Sequence, residues 1–185
     1  MNLSSRLEVN SEPDIKLAQE FSSGRMDAFD RLYERYSSHV YNTCLGILGN
    51  PDDAKDAMQD TFVQLYRSLP KFRGRSKFST WLYRITVNKC RDRLRSRPKW
   101  ETADSLEWLA NDDEPVDVLT EEQVRRAMLK LKPDYRTVLV LYYFQQLACD
   151  EIAETLNCSV DSIRVRLHRA RKAFRQMYGG DENEM

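Results

Sequence analysis

From Glu101 to Glu122 the chain carries nine acidic side chains and no basic one, a net charge of −9. A stretch so charged, with no sustained apolar period, is poor material for a core. It reads as a linker over residues 99–120 that divides the 185-residue chain into two domains. Both flanks have the opposite sign. Lys71 to Arg97 holds ten Lys or Arg against one acid, Asp92, and Val160 to Arg175 holds six against one. The formal charge of the whole chain is zero, because the acidic block offsets the first basic one and the remaining residues offset the second. Two cationic surfaces joined by an anionic strap suit a polyanion gripped at two places, with the strap kept off it.

The expected fold class is all-α: two small helical domains joined by the acidic linker. Six Gly and six Pro are few, and no segment shows a convincing strand pattern. The expected divisions are a loose tail at 1–12, a first domain at 13–98, the linker, a second domain at 121–178 and a short tail at 179–185. No run approaches the roughly 18 apolar residues of a membrane span, and Met1 to Pro13 has no signal-peptide core, so a cytoplasmic location is expected. Cys44, Cys90, Cys149 and Cys158 are scattered without a CxxC pair, so neither a metal site nor a redox motif is expected. With two His and no Gly-rich loop or nucleophile–base grouping, an enzyme, a cofactor and a small-molecule ligand are not expected either.

In the first domain, a helix-like stretch runs from Asp14 to Phe21 and a second opens after Gly24. Asn50-Pro51-Asp52-Asp53 is a helix start: Asn50 caps, Pro51 suits the first turn, and the acids meet the positive helix end. Met58, Phe62, Leu65 and Leu69 form the apolar stripe of that helix, Pro70 stops it, and Asp53, Asp56, Gln59, Asp60 and Gln64 cover the other side. A loop, Phe72 to Lys77, mixes an aromatic with charges. The helix after it places Arg84, Asn88, Arg91 and Arg95 at three-to-four spacing on one face. Like charges so aligned repel, which a polyanion partner would offset.

In the second domain, a helix from Glu121 to Leu131 ends at Lys132-Pro133, and Asp134 is expected to cap the next. Cys149 to Arg171 has the form of a helix-turn-helix, with Asp150–Leu156 as the first helix, Asn157-Cys158-Ser159 as the turn and Ser159 capping the second. Val160, Ile163, Leu167, Ala170 and Phe174 recur at helical spacing as a buried stripe. That leaves Asp161, Ser162, Arg164, Val165, His168 and Arg169 outward, as a major-groove reading helix requires. Arg166, Arg171, Lys172 and Arg175 point elsewhere and would suit phosphates.

Asp-Ala-Met-Gln-Asp-Thr-Phe at 56–62, Phe-Ser-Thr-Trp-Leu-Tyr-Arg-Ile-Thr-Val-Asn at 78–88 and Ile-Arg-Val-Arg-Leu-His-Arg-Ala-Arg at 163–171 resemble the extracytoplasmic-function sigma factors. These are minimal bacterial initiation factors built from sigma domains two and four. The resemblance spans roughly residues 14–178, in the family's motif order. It implies that Asp56, Gln59, Asp60 and Phe62 bind the clamp helices of the largest catalytic subunit of RNA polymerase. It implies that Phe72, Arg73, Ser76, Lys77, Trp81, Arg84, Asn88 and Arg91 recognise and melt the minus-ten promoter element. There an aromatic can stack on an extruded base and Asn can bond its edge. Ser162, Arg164, Val165, Arg166, His168, Arg169 and Arg171 would serve the minus-thirty-five element. Further implied partners are promoter DNA, the flap of the second-largest polymerase subunit and an anti-sigma factor, often membrane-anchored. Many relatives carry Gly-Thr where this chain has Asp161-Ser162, and a small polar residue where it has Val165. These departures bear on which upstream sequence is read.

Overall fold

The computed structural model describes residues 13–96 and 121–178; the expected linker and both expected tails lie outside the described residues. These fold into eight α-helices, with no strand among them. The first domain comprises α1 (Asp14–Ser22), α2 (Asp27–Leu48), α3 (Pro51–Ser68), a 3-10 turn at Leu69–Lys71, and α4 (Phe78–Ser96). The second comprises α5 (Glu121–Lys130), α6 (Pro133–Leu139) running into a π-turn at Val140–Phe144, α7 (Cys149–Leu156) and α8 (Val160–Tyr178).

Local chemistry sets most helix ends. The Asn50 side chain accepts from the backbone N–H of Asp52 at 2.8 Å and of Asp53 at 3.1 Å, satisfying two donors that a helix start leaves unpaired. Gly49 ends α2 at φ +75°, a left-handed conformation that costs glycine little. Before α6 the outcome differs from expectation: Lys132 is the N-cap and Pro133 the first helical residue, so Asp134 lies inside the first turn rather than at the cap. The fixed φ of proline starts the helix two residues earlier than a cap at Asp134 would.

In α2, Ala28, Leu32, Tyr36, Val40, Cys44, Ile47 and Leu48 are buried at three-to-four spacing, the stripe that an amphipathic helix presents to a core. It packs against α1, α3 and α4. The Tyr36 hydroxyl donates to Asp14 at 2.6 Å, and Arg35 pairs with the same carboxylate, tying α1 to α2. Burial, then the hydrogen bond to Asp14, pushes the Tyr36 phenol well above its ordinary range. In the second domain Ile152, Ala153, Leu156, Ile163, Leu167 and Ala170 are buried where α7 crosses α8. A small side chain at Ala153 permits the close crossing.

The two domains touch. Helix α4 packs on α7, and α2 packs on α6 and its π-turn, so the buried apolar side chains of both halves form one continuous cluster.

Candidate nucleic-acid interface

Helix α8 begins after Ser159, whose hydroxyl accepts from the Ser162 backbone N–H at 3.2 Å. With Ile163, Leu167 and Ala170 buried, Asp161, Ser162, Arg164, Val165, His168 and Arg169 are all exposed on the opposite side. Val165, at 49% exposure, is a large apolar residue that the fold leaves uncovered. Around it, Tyr135, Ser159, Ser162, Arg166 and Arg169 line an open hollow of about 430 Å³. Arg166, expected to point elsewhere, lines this hollow and so shares the side of α8 that Val165 and Arg169 occupy. Arg171 does not: its Nε donates to the Tyr143 hydroxyl at 2.9 Å, and its guanidinium lies over the Tyr142 and Tyr143 rings, 5.1 and 5.6 Å from their centroids. Arg164 pairs with Asp161 one turn back, Nη1 to Oδ1 3.1 Å.

The second cationic surface surrounds the start of α4. Phe72 stacks on Trp81, centroids 4.9 Å apart and planes 28° from parallel, and Phe78 meets Phe72 edge-on at 5.6 Å. Lys71, Arg73, Arg75, Ser76 and Arg84 join the stacked pair around a hollow of about 520 Å³. Rings beside guanidinium groups can hold an unpaired base and its phosphates. Asn88 is exposed one turn beyond Arg84. Three cations of this surface meet acids of the second domain: Lys77 Nζ donates to Glu151 Oε1 at 2.6 Å, Arg84 lies 3.8 Å from Glu154, and Arg91 lies 3.8 Å from Asp134. The other Glu151 oxygen accepts the Ala148 N–H at 2.9 Å, so one carboxylate both caps α7 and holds Lys77. Burial raises the Glu151 pKa, but the bonds from Lys77 and the Ala148 N–H outweigh it and leave it below the usual range. The hydrogen bond to Glu151 holds Lys77 above its usual value.

A third surface lies between α2 and α3. Phe29, Tyr33, Asp56, Met58, Gln59, Val63 and Tyr66 border an open hollow of about 740 Å³. Tyr33, Val63 and Tyr66 are 40, 45 and 45% exposed, an apolar patch of the kind that marks a protein-binding site. Sequence reasoning missed these three. The available signal was the width of the apolar arc of α3, where Val63 and Tyr66 fall beside the stripe that Ala57, Phe62 and Leu65 bury. Phe62, at 5% exposure, is held by Tyr33 and Phe29, so its ring is a wall of the patch more than a contact surface. The acids of α3 are gathered by Arg93 of α4, which reaches Asp53 at 3.5 Å, Asp56 at 3.0 Å and Asp60 at 3.6 Å.

Among the described residues no group of His, Cys, Asp and Glu is arranged to hold a metal ion, and no helix is long and apolar enough to cross a membrane.

Residues 32–99 match the Sigma-70 region 2 family, and residues 121–174 match Sigma-70, region 4. The ECF RNA polymerase sigma factor SigW of Bacillus subtilis (strain 168) is 32% identical over 176 residues, covering 87% of this chain and 94% of SigW. The RNA polymerase sigma-H factor of Pseudomonas aeruginosa is 31% identical over 181 residues, 90% of this chain and 94% of that one. Among solved structures, CnrH in complex with the cytosolic domain of CnrY is similar at a TM-score of 0.72 and 29% identity, over 92% of this chain and 99% of that one. The sigma factor RpoE in complex with the anti-sigma factor NepR from Bartonella quintana shares the fold at a TM-score of 0.66 and 20% identity, over 85% and 98%. Two matched regions in the right order, and relatives above 30% identity along nearly their whole length, settle the family: this chain belongs to the extracytoplasmic-function sigma factors of RNA polymerase.

Proposed function

We propose that this sigma factor binds RNA polymerase core and directs it to a narrow set of promoters, with no catalytic chemistry of its own. The observation that carries the reading is α8, a capped helix-turn-helix element whose buried stripe leaves Ser162, Arg164, Val165, Arg166, His168 and Arg169 together on one open face. There Arg can take guanine in a bidentate contact, Val165 can touch a thymine methyl, and either of the two serines at the helix start can bond a phosphate. The Phe72–Trp81 pair with Arg73, Ser76, Lys77, Arg84, Asn88 and Arg91 acts on the minus-ten element, holding an extruded base against the rings. Asp56 and Gln59, with the aromatic patch of Tyr33 and Tyr66, dock on the clamp helices of the largest polymerase subunit. The second domain meets the flap of the second-largest.

The working domains are then residues 13–98 and 121–178, tethered by 99–120. Control by an anti-sigma factor, membrane-associated in many members, is part of the proposal, and the similarity to CnrH, solved with the cytosolic domain of CnrY, supports it.

The test is run-off transcription with purified core polymerase on genomic fragments, followed by start-site mapping. New, discrete starts that depend on the factor are expected. Failure to bind core, or unchanged start sites, would reject the reading.

A further inference from the structure

Helix α1 lies ahead of the matched region 2, which begins at residue 32, and no residue of α1 lines any of the three hollows. It buries Leu17, Ala18 and Phe21. It packs on α2 and on the 3-10 turn at Leu69–Lys71, which leads straight into the loop before α4. Ile15 stays outside the buried face and is 42% exposed. Its terminal methyl nevertheless intrudes on the place that a Cβ of Gly74 would take. Gly74 stands at φ +65°, a left-handed conformation that glycine adopts at little cost. Any larger residue there would strain the backbone and meet Ile15 as well. The loop at 72–77 is thus shaped to rest on α1.

A second line of contacts runs from α1 to the stacked rings. Asp14, in the first turn of α1, accepts from the Tyr36 hydroxyl at 2.6 Å and pairs with Arg35. The buried Tyr36 ring lies 5.4 Å from that of Phe78, centroid to centroid. Phe78 opens α4 and is buried too. It meets Phe72 at 5.6 Å and Trp81 at 5.9 Å, both edge-on. Phe78 is therefore the floor under the Phe72–Trp81 stack, and Tyr36, pinned by Asp14, backs that floor. Aromatic contacts are directional, so a ring fixed on one side constrains the tilt of the next.

We propose that α1 is the brace of the minus-ten surface: Ile15 sets the turn at Gly74, and Asp14, through Tyr36 and Phe78, sets the tilt of the Phe72–Trp81 pair. Ile15 and Asp14 are positioning residues and touch no nucleic acid. The consequence for promoter opening rests on the functional reading above. Between Phe72 and Phe78 stand Arg73, Gly74, Arg75, Ser76 and Lys77, none with an apolar side chain. The loop therefore has no means of packing itself down, and Ile15 supplies the apolar contact that it lacks. Unbraced, it would lose conformational freedom each time a base is captured. Support from α1 removes that freedom before DNA arrives, which strengthens binding without any new contact. Phe21, at the far end of α1, meets Tyr66 of α3 edge-on at 5.0 Å, so the test is confined to the first turn.

Ile15→Ala removes the contact with Gly74 at an exposed position, and Ile15→Leu keeps an apolar side chain of equal size. Backbone 15N relaxation of the free full-length chain reads the brace directly. Order parameters at Gly74 and Arg75 should lie near the ~0.85 of rigid backbone in the wild type and fall toward ~0.6 in Ile15→Ala, with α3 unchanged. A loop that keeps its order in Ile15→Ala, or one already loose in the wild type, would overturn the brace. On DNA, holoenzyme affinity is measured on fork-junction fragments of a mapped promoter, with an abasic residue at successive minus-ten positions of the nontemplate strand. The wild type should lose ~5-fold or more where the held base is missing. Ile15→Ala should bind the intact fragment less tightly yet lose under ~2-fold for that same base, because base and brace then act together. Ile15→Leu should restore the full penalty. An equal penalty in Ile15→Ala and the wild type would overturn the positioning role. A wild type indifferent to every missing base would reject the base-holding reading instead, and the order parameters alone would then decide the brace.

Discussion

Replacing Asp161 by Asn should tighten binding to upstream promoter DNA, and the size of the effect follows from the free structure. Asp161 accepts from Arg164 at 3.1 Å, with side chains 88 and 67% exposed. An ion pair that open is worth roughly 0.2–1 kcal/mol, so releasing Arg164 from it can gain up to about fivefold in affinity. The carboxylate also sits in the first turn of α8, where an acid favours the helix dipole by about 0.3–1 kcal/mol at low salt. The Ser159 cap is untouched by the change, so the helix start survives the loss. On DNA, one fewer negative charge beside the phosphates should steepen the fall of log K with log salt by roughly 0.9. The assay is fluorescence anisotropy of the holoenzyme on promoter fragments that differ only upstream, read at several salt concentrations. Two- to fivefold tightening on every fragment is expected at low salt. Weakening confined to fragments with cytosine at one position would refute the reasoning. It would mean that Asp161 reads the cytosine amino group and that Arg164 depends on it for orientation.

Other outcomes separate the three surfaces. Asn88→Ala, at an exposed position beyond the stacked rings, should reduce permanganate reactivity of the melted region while leaving upstream binding intact. Tyr66→Ala should weaken core polymerase binding and, since its ring is 45% exposed yet meets Phe21 and Phe29 edge-on, should cost less stability than Phe62→Ala, which removes a buried ring at about 3–5 kcal/mol. The contact between the two domains should have two pH edges, set by Glu151 and Lys77. Glu151 has a depressed folded pKa, so its contribution is complete above its ordinary value of 4.5 and is lost as the pH falls through the folded one. Lys77 has a raised folded pKa, so its contribution is complete below 10.5 and is lost as the pH rises through the folded one. Scattering across that range should find the free chain most compact between the two edges.

The elements legible in the sequence are those written by local rules. Asn50 caps because its side chain reaches its own chain two and three residues on. The stripe from Ile163 to Ala170 is buried because a helix repeats at three and four. The same rule put Arg164, Val165, His168 and Arg169 outward, and the structure places them there. What escaped were contacts between segments far apart along the chain. The Gln145 side-chain oxygen accepts from the Tyr83 hydroxyl, 62 residues away, at 2.7 Å and lies 3.2 Å from His39 Nδ1, 106 residues away, and nothing near Gln145 in sequence marks that role. Gly46 reads as an ordinary weak spot in a helix until Val140 is seen against it. Arg166, expected to point elsewhere, lines the hollow beside Val165, and Arg171, expected to suit phosphates, is held by Tyr142 and Tyr143 instead.

Charge carries the sharpest difference between what a sequence tells and what a fold adds. Ten cations between Lys71 and Arg97 look like a surface waiting for a polyanion. In the folded chain Lys77, Arg84 and Arg91 meet acids of the other domain, and Arg93 meets three acids of α3. These pairs do not remove the affinity for nucleic acid; they set what binding must displace. Each pair made by Lys77, Arg84 and Arg91 has one well-exposed partner, Lys77 at 74%, Glu154 at 46% and Asp134 at 66%, so solvent screens it and a phosphate of similar charge can compete with the carboxylate. Arg93 is more enclosed and shared among three carboxylates, so exchange there would leave several acids unpaired at once. On that ground the first three are the exchangeable cations of α4, the ones that the proposed nucleic-acid contact would use. Arg93 instead braces α3 against α4.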